Sequence, residues 1–199
     1  MRRRLTRGRT LTNVAHAVVA TFDSGADAEV RALWAALANS KIDSSMMTLG
    51  VAPHLTLAVM TDTMPGPLIG RVGDLARRTN PFGLSFDRID MFQDRRSVPY
   101  LAPRASTALR RLHEALHESV QGVGTSTEHT RPGAWVPHAT LAMALRKRPL
   151  AAAQRLLSER FSPFAARVTD LAVVQFRPAR VEAATKVYQV PLGTQAPAQ

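Results

Sequence analysis

The stretch Pro53-His54-Leu55-Thr56-Leu57-Ala58 returns almost unchanged as Pro137-His138-Ala139-Thr140-Leu141-Ala142, with a different residue only between histidine and threonine. With six histidines in 199 residues a bare His-x-Thr string carries little weight. Agreement at the preceding proline and the following Leu-Ala makes the repeat real. Proline suits the first residue of a strand, and each copy opens an apolar run, Leu55 to Val59 and Ala139 to Leu145, so both read as strands. Side chains alternate across a strand. His54, Thr56, Ala58 and Met60 therefore share one face and Leu55, Leu57 and Val59 the other, while His138, Thr140, Ala142 and Ala144 oppose Ala139, Leu141, Met143 and Leu145. The expected picture is a polar pair followed by alanine on a shallow face, with a greasy reverse packed on helices.

Outward from the repeat, Val14 to Phe22 reads as a strand. Ser24 or Asp27 then caps a helix to about Ala38, with Val30, Leu33, Trp34 and Leu37 at helical spacing. After the first repeat, Pro65 and Pro67 introduce a helix bearing Leu68, Ile69, Val72 and Leu75. Strands follow over Phe82 to Phe92 and Val98 to Leu101, then a helix from about Pro103 to Val120 and a Gly/Ser/Thr-rich loop from Gln121 to Gly133. The second repeat leads to a helix around Leu150 to Glu159 and strands over Val168 to Phe176 and Lys186 to Pro191. The order β-α-β-α-β-β-α-β-α-β-β divides into two similar halves. It predicts an α+β fold of two pseudo-symmetric lobes whose antiparallel sheets form a central groove, with helices packed outside. Residues 14–192 form this single bilobal domain, 1–13 a basic flexible segment and 193–199 a disordered tail.

Histidine exchanges a proton near neutrality, so a matched pair points to acid and base catalysis. If the two strands lie side by side about a local pseudo-twofold axis, two imidazoles and two hydroxyls converge on one groove. That set suits a phosphodiester: one imidazole deprotonates the attacking oxygen, the other protonates the departing one, and the threonines donate to non-bridging oxygens. The chemistry requires no metal and no cofactor.

At these residues the chain resembles the two-histidine phosphoesterase superfamily, whose signature is two His-x-Thr/Ser tetrapeptides, one per pseudo-symmetric lobe. By size and element order it is most similar to the bacterial 2′-5′ RNA ligase and RNA 2′,3′-cyclic phosphodiesterase branch. The resemblance covers about Val14 to Leu192. It implies His54 and His138 as acid and base, in that order, and Thr56 and Thr140 as phosphate ligands. It further implies a cyclic phosphodiesterase that opens RNA 2′,3′-cyclic phosphate ends to 2′-phosphates, or that performs 2′-5′ ligation. Hydrolysis of small cyclic nucleotides or ADP-ribose cyclic phosphate stays open, as does a non-catalytic RNA-binding module.

Composition agrees independently. The formal charge of +11 favours a polyanionic partner, RNA or a nucleotide. Absence of cysteine excludes disulfides, thiolate nucleophiles and cysteine-based zinc sites, and favours a cytoplasmic location. No apolar run approaches the roughly 20 residues that span a bilayer. The opening Met1-Arg2-Arg3-Arg4 and the apolar Val14 to Phe22 weakly mimic a signal peptide, but that run contains His16 and alternates like a strand. A monomer is expected.

Other candidates have blander alternatives. His16 either lines the groove or is a satisfied structural histidine. His113 and His117, at i and i+4, lack a complete His-Glu-x-x-His string and read as helix-surface residues. Tyr100, Phe92 and Trp135 adjoin the groove, and Tyr100 is the ring best placed to stack on a base. Arg95, Arg96 and Arg177 sit on connections from which they can reach flanking phosphates, while Arg146-Lys147-Arg148 follows the second repeat.

Overall fold

The computed structural model describes residues 14–93, 97–178 and 180–193. The arginine-rich start, Arg95 and Arg96, and the tail from 194 onward lie outside the described residues.

The first strand, β1 (Ala15–Phe22), is buried along its whole length, as an interior strand of small and β-branched residues should be. Helix α1 (Ser24–Asn39) buries Val30, Leu33, Trp34 and Leu37 on the expected stripe. Neither expected cap is used. The N-cap position falls on Asp23, whose carboxylate accepts the backbone N–H of Arg167 at 2.7 Å, and Asp27 pairs with Arg31 one turn on. A four-residue helix not foreseen, α2 (Ser45–Thr48), precedes β2 (His54–Thr61), which carries the first repeat. Pro65 stands at the start of α3 (Pro65–Arg78), where its missing N–H costs nothing. Gly73 within α3 admits the Tyr188 hydroxyl, which would lie 2.9 Å from any Cβ added there.

Strands β3 (Phe82–Phe92) and β4 (Val98–Pro103) pair with each other, and α4 (Thr107–Ser119) follows. This helix starts later than Pro103 because Pro103 still sits opposite Phe86 in the sheet. Ser106 is the true cap, its hydroxyl accepting the Leu109 N–H at 3.2 Å. The loop from Gln121 holds a two-residue strand, β5 (Thr125–Ser126), and a 3-10 turn over Glu128–Thr130. The second repeat contributes only β6 (Ala139–Thr140), short of the expected run to Leu145. It pairs with β4 alone, and beyond Thr140 the chain bends, with Ala144 at φ +58°. Helix α5 (Lys147–Arg160) and strands β7 (Phe164–Arg177) and β8 (Arg180–Pro191) complete the described chain.

All strands pair antiparallel in one eight-stranded sheet ordered β5-β2-β1-β7-β3-β4-β6, with β8 also on β7. The antiparallel α+β architecture therefore carries both halves on a single sheet. Strand β7 is its hub. One edge pairs with β1, while the other is shared by β3 over its first residues and β8 over the rest. The helix-covered face buries Leu37, Leu57, Phe86, Leu101, Leu116, Leu157 and Leu171, with Phe22 edge-on to Phe86 at 5.5 Å. Each such side chain stabilises by roughly 1.5–3 kcal/mol. The opposite face carries a smaller cluster of Ala17, Val19, Ala172 and Val174. No helix among the described residues is long and apolar enough to cross a membrane.

One irregularity corrects the alternation read from sequence. Val19 lies opposite Thr56 and Val18 opposite Ala58, so Leu57 is an extra residue in β2, a β-bulge. Leu57 and Ala58 both enter the main core, and Val59, not Ala58, emerges beside Thr56 on the opposite face. The second repeat does the same: Leu141 and Ala142 are core, and Met143 emerges beside Thr140. The alanines that were to keep the polar face shallow are thus buried on its reverse.

Candidate active site

The two repeats come together. Strands β2 and β6 lie against one another, and His54, Thr56 and Thr140 line one cavity of ≈ 160 Å³. Its floor comes from β1 and β7 through Val19 and Val174. Met46 and Leu49 of the α2 region, Val51, Phe176 and Ala184 close the sides. Apart from His54 none of the lining side chains is ionisable. A larger hollow of ≈ 630 Å³, bounded by Met60, Glu114, His117 and Arg131, contains neither repeat.

Each histidine is oriented in the same way. His54 Nδ1 donates to the Ala52 carbonyl at 2.7 Å and His138 Nδ1 to the Val136 carbonyl at 2.8 Å, in both cases two residues earlier. A carbonyl only accepts, so in the neutral ring Nδ1 carries the proton and Nε2 keeps a free lone pair. Burial lowers both histidine pKa values from the ordinary 6.5, and the carbonyl bonds oppose the shift. Repulsion from His138 lowers His54 further, so a proton on each ring at once is disfavoured. His138 stands edge-on to Phe92 at 4.8 Å and to Tyr100 at 5.4 Å.

The backbone behind the threonines is held by side chains from far along the chain. Trp135 Nε1 donates to the Thr56 carbonyl and Trp34 Nε1 to the Thr140 carbonyl, each at 2.9 Å. Because β5 reaches only Met60 and Thr61, the outer edge of β2 before them is dressed by side chains. His117 Nε2 donates to the Leu57 carbonyl at 3.3 Å, and the Val59 N–H donates to Thr130 Oγ1 at 3.2 Å. Ser45 Oγ accepts the Met143 N–H at 3.2 Å, tying α2 to the second repeat.

The secondary candidates separate. His16 is only 4% exposed and shares the helix-side face of β1 with Val18 and Ala20, so it does not line the cavity. It is not a satisfied histidine either: neither ring nitrogen has a hydrogen-bond partner among the described residues, and burial lowers its pKa. Tyr100 is 5% exposed and its ring lies 4.4 Å from that of Phe92, so it backs His138 and offers no free stacking face. Burial, then the Asp90 carboxylate, raise its pKa. Arg177 is exposed at the end of β7, one residue beyond Phe176, whereas Arg95 lies outside the described residues. His113, expected on the surface, is buried, stacked on Trp135 at 3.9 Å and bonded to the Thr130 carbonyl. No cluster of three or more histidine or acidic side chains able to hold a metal forms among the described residues.

Sequence reasoning missed Trp34, the α2 residues and Thr21. Thr21 sits opposite His54 in the β1–β2 ladder, its hydroxyl buried without a partner among the described residues. Only α2 had a local signal, the Asp43-Ser44-Ser45 cluster, in which Asp43 accepts the Ser45 N–H.

Known proteins resemble this chain in sequence and in fold. An RNA 2′,3′-cyclic phosphodiesterase of Bacillus subtilis (strain 168) is 35% identical over 94 residues, 45% of this chain and 50% of that protein. The match thus spans half the length of that curated relative. Escherichia coli LigT, solved with 3′-AMP, superposes with a TM-score of 0.56 at 20% identity, over 90% of this chain and 98% of its own. A structure from Thermus thermophilus gives 0.56 at 17% identity, over 92% of this chain and 100% of its own. These structural likenesses fix the fold. A family model for the 2′-5′ RNA ligase superfamily matches residues 22–179, a span that takes in both repeats and most of the sheet, and the chain belongs to that superfamily.

Proposed function

We propose that this chain is a cyclic phosphodiesterase that opens RNA 2′,3′-cyclic phosphate ends to 2′-phosphates by acid and base catalysis between His54 and His138. The observation that carries the reading is the matched setting of the two imidazoles, each with Nδ1 fixed to a carbonyl and Nε2 left for proton transfer. His138 Nε2 accepts a proton from water as its oxygen attacks phosphorus. The P–O3′ bond breaks, and His54 Nε2–H protonates the departing oxygen, leaving a 2′-phosphate and a 3′-hydroxyl. Thr56 and Thr140 donate hydrogen bonds to the non-bridging oxygens. An RNA hydroxyl in place of water forms a 2′-5′ linkage by the same proton transfers.

The pair requires one ring neutral and one protonated, and the repulsion between them favours that single-proton state. Both pKa values are lowered in the free protein. The acidic limb of a kcat/KM profile is therefore expected below 6.5, reporting loss of the neutral base. The net charge of +11 supports an RNA partner, and the cysteine-free composition supports a cytoplasmic setting. A second reading, a small nucleoside cyclic phosphate as substrate, is favoured by the cavity's modest volume and lack of lysine or arginine.

The test is incubation, with chelator present, of wild type, His54→Ala and His138→Ala with an oligoribonucleotide ending in a 2′,3′-cyclic phosphate. Only the wild type should yield the 2′-phosphate. Undiminished turnover by either variant overturns the mechanism, whereas activity confined to mononucleoside cyclic phosphates selects the second reading.

A further inference from the structure

We propose that Trp34 and Trp135, the chain's only tryptophans, are positioning residues that set the two threonine hydroxyls, each from the opposite half of the molecule. The inference rests on the reading that Thr56 and Thr140 hold the phosphate. Trp34, in the first half, donates to the carbonyl of Thr140 in the second repeat. Trp135, in the second half, donates to the carbonyl of Thr56 in the first. The partners are 106 and 79 residues apart in sequence, and both bonds measure 2.9 Å. The exchange is therefore reciprocal.

Both rings are themselves immobilised. Trp34 is 2% exposed within the main core, with the Arg31 guanidinium 5.9 Å from its ring centre. Trp135 lies flat on His113, 3° from parallel, and His113 is anchored to the Thr130 carbonyl at 2.8 Å. An indole N–H donates and never accepts, so it fixes one partner in one direction. Fixing a threonine carbonyl fixes the adjoining Cα and the direction in which its side chain leaves. Catalysis is sensitive at that scale, since misplacement of a group by about 1 Å can cost about 10²-fold. Neither nitrogen is offered to substrate, because each is already spent on a backbone oxygen, so neither residue is catalytic.

A structural account also exists: a buried indole N–H must find some acceptor. The two accounts part on coupling. Trp135→Phe and Trp34→Phe keep an aromatic ring and remove the donor, and each is combined with Thr56→Val and with Thr140→Val. Trp135→Phe should lower kcat about tenfold with KM within about twofold, and this loss should shrink below about twofold in the Thr56→Val background. Against Thr140→Val the two losses should multiply. Trp34→Phe should show the mirror pattern, coupled to Thr140 and independent of Thr56. Equal losses in all backgrounds, or none, would leave the tryptophans as ordinary core residues and overturn the proposal. If the two valine variants alone keep full kcat, the threonine reading itself falls, and this inference with it. Benzothienylalanine at 34 or 135 keeps the bicyclic shape without the N–H, and replaces any phenylalanine variant that does not fold.

Discussion

The two copies of one hexapeptide are built into different surroundings. The first occupies an eight-residue strand paired with β1 along its length, its far edge closed by Trp135, His117, Thr130 and β5. The second forms a two-residue strand at the end of the sheet, after which the chain bends. Yet the local geometry around His and Thr is the same: Nδ1 on the carbonyl two residues earlier, an indole on the threonine carbonyl, Leu-Ala turned into the core, and Val59 or Met143 emerging into the cavity. What the repeat specifies is this arrangement of side chains. The length of strand around it is set by the backbone that follows: after Thr140 the chain bends through Ala144 at φ +58°, although β4 stays extended back to Val98.

The strongest way to break the comparison is at the histidines. His54→Ala and His138→Ala should each lower kcat by about 10⁴-fold with little change in Tm. A large loss at one and a small loss at the other would show that the halves are not catalytic equals. Next come the leucines facing the core. Leu57→Ala should destabilise by about 4 kcal/mol and Leu141→Ala by about 2, because the bent chain after β6 can relax into the space more readily than a braced interior strand. Urea midpoints measure both, and equal costs would mean that strand regularity does not govern relaxation here.

The acid response should also be lopsided. His113 braces the first repeat through Trp135, and its pKa is lowered from 6.5 to about 4, chiefly by burial. The unfolded chain therefore takes up the proton first as pH falls, so this contribution is intact above 6.5 and is lost progressively between 6.5 and about 4, by about 3 kcal/mol in total. His113→Gln should be less stable than wild type at about pH 7.5 and should show a shallower fall in urea midpoint down to about pH 4.5. An unaltered slope would place the acid sensitivity elsewhere. The smallest difference is expected at the hydroxyls, where Thr56→Val and Thr140→Val should each lower kcat about 10²-fold, nearly equally.

Much of this was readable from the chain. The hydrophobic stripe of α1, the proline start of α3 and the limits of β3 follow from local patterning; the two repeat strands also approach one another, with His54, Thr56 and Thr140 lining the cavity and His138 not among its lining residues. The bulge was not readable, because Thr56-Leu57-Ala58-Val59 alternates as well with the extra residue as without it when alanine fits either face. The shortness of β6 was hidden for a related reason: Ala139 to Leu145 is apolar enough for a strand, and what interrupts it is the bend through Ala144, at φ +58°, between the Leu141 N–H bond to the Pro99 carbonyl and the bridge of Leu145 to Ser97. The sequence leaves open whether Tyr100 and His16 face the groove or the core, because burial of a single polar ring depends on what packs over it. The tryptophan contacts join residues a hundred or so positions apart, and no local pattern announces a bond of that span.

The position of β7 in the order of synthesis bears on how the molecule is made. It fills one edge of β1 and one edge of β3, yet it occupies residues 164–177 and emerges after both. Until it leaves the ribosome, the nascent chain holds strand pairs with open edges and no way to join them. Final assembly must then wait for long-range pairings, the slow kind in folding kinetics and the kind that leaves edges exposed to other chains.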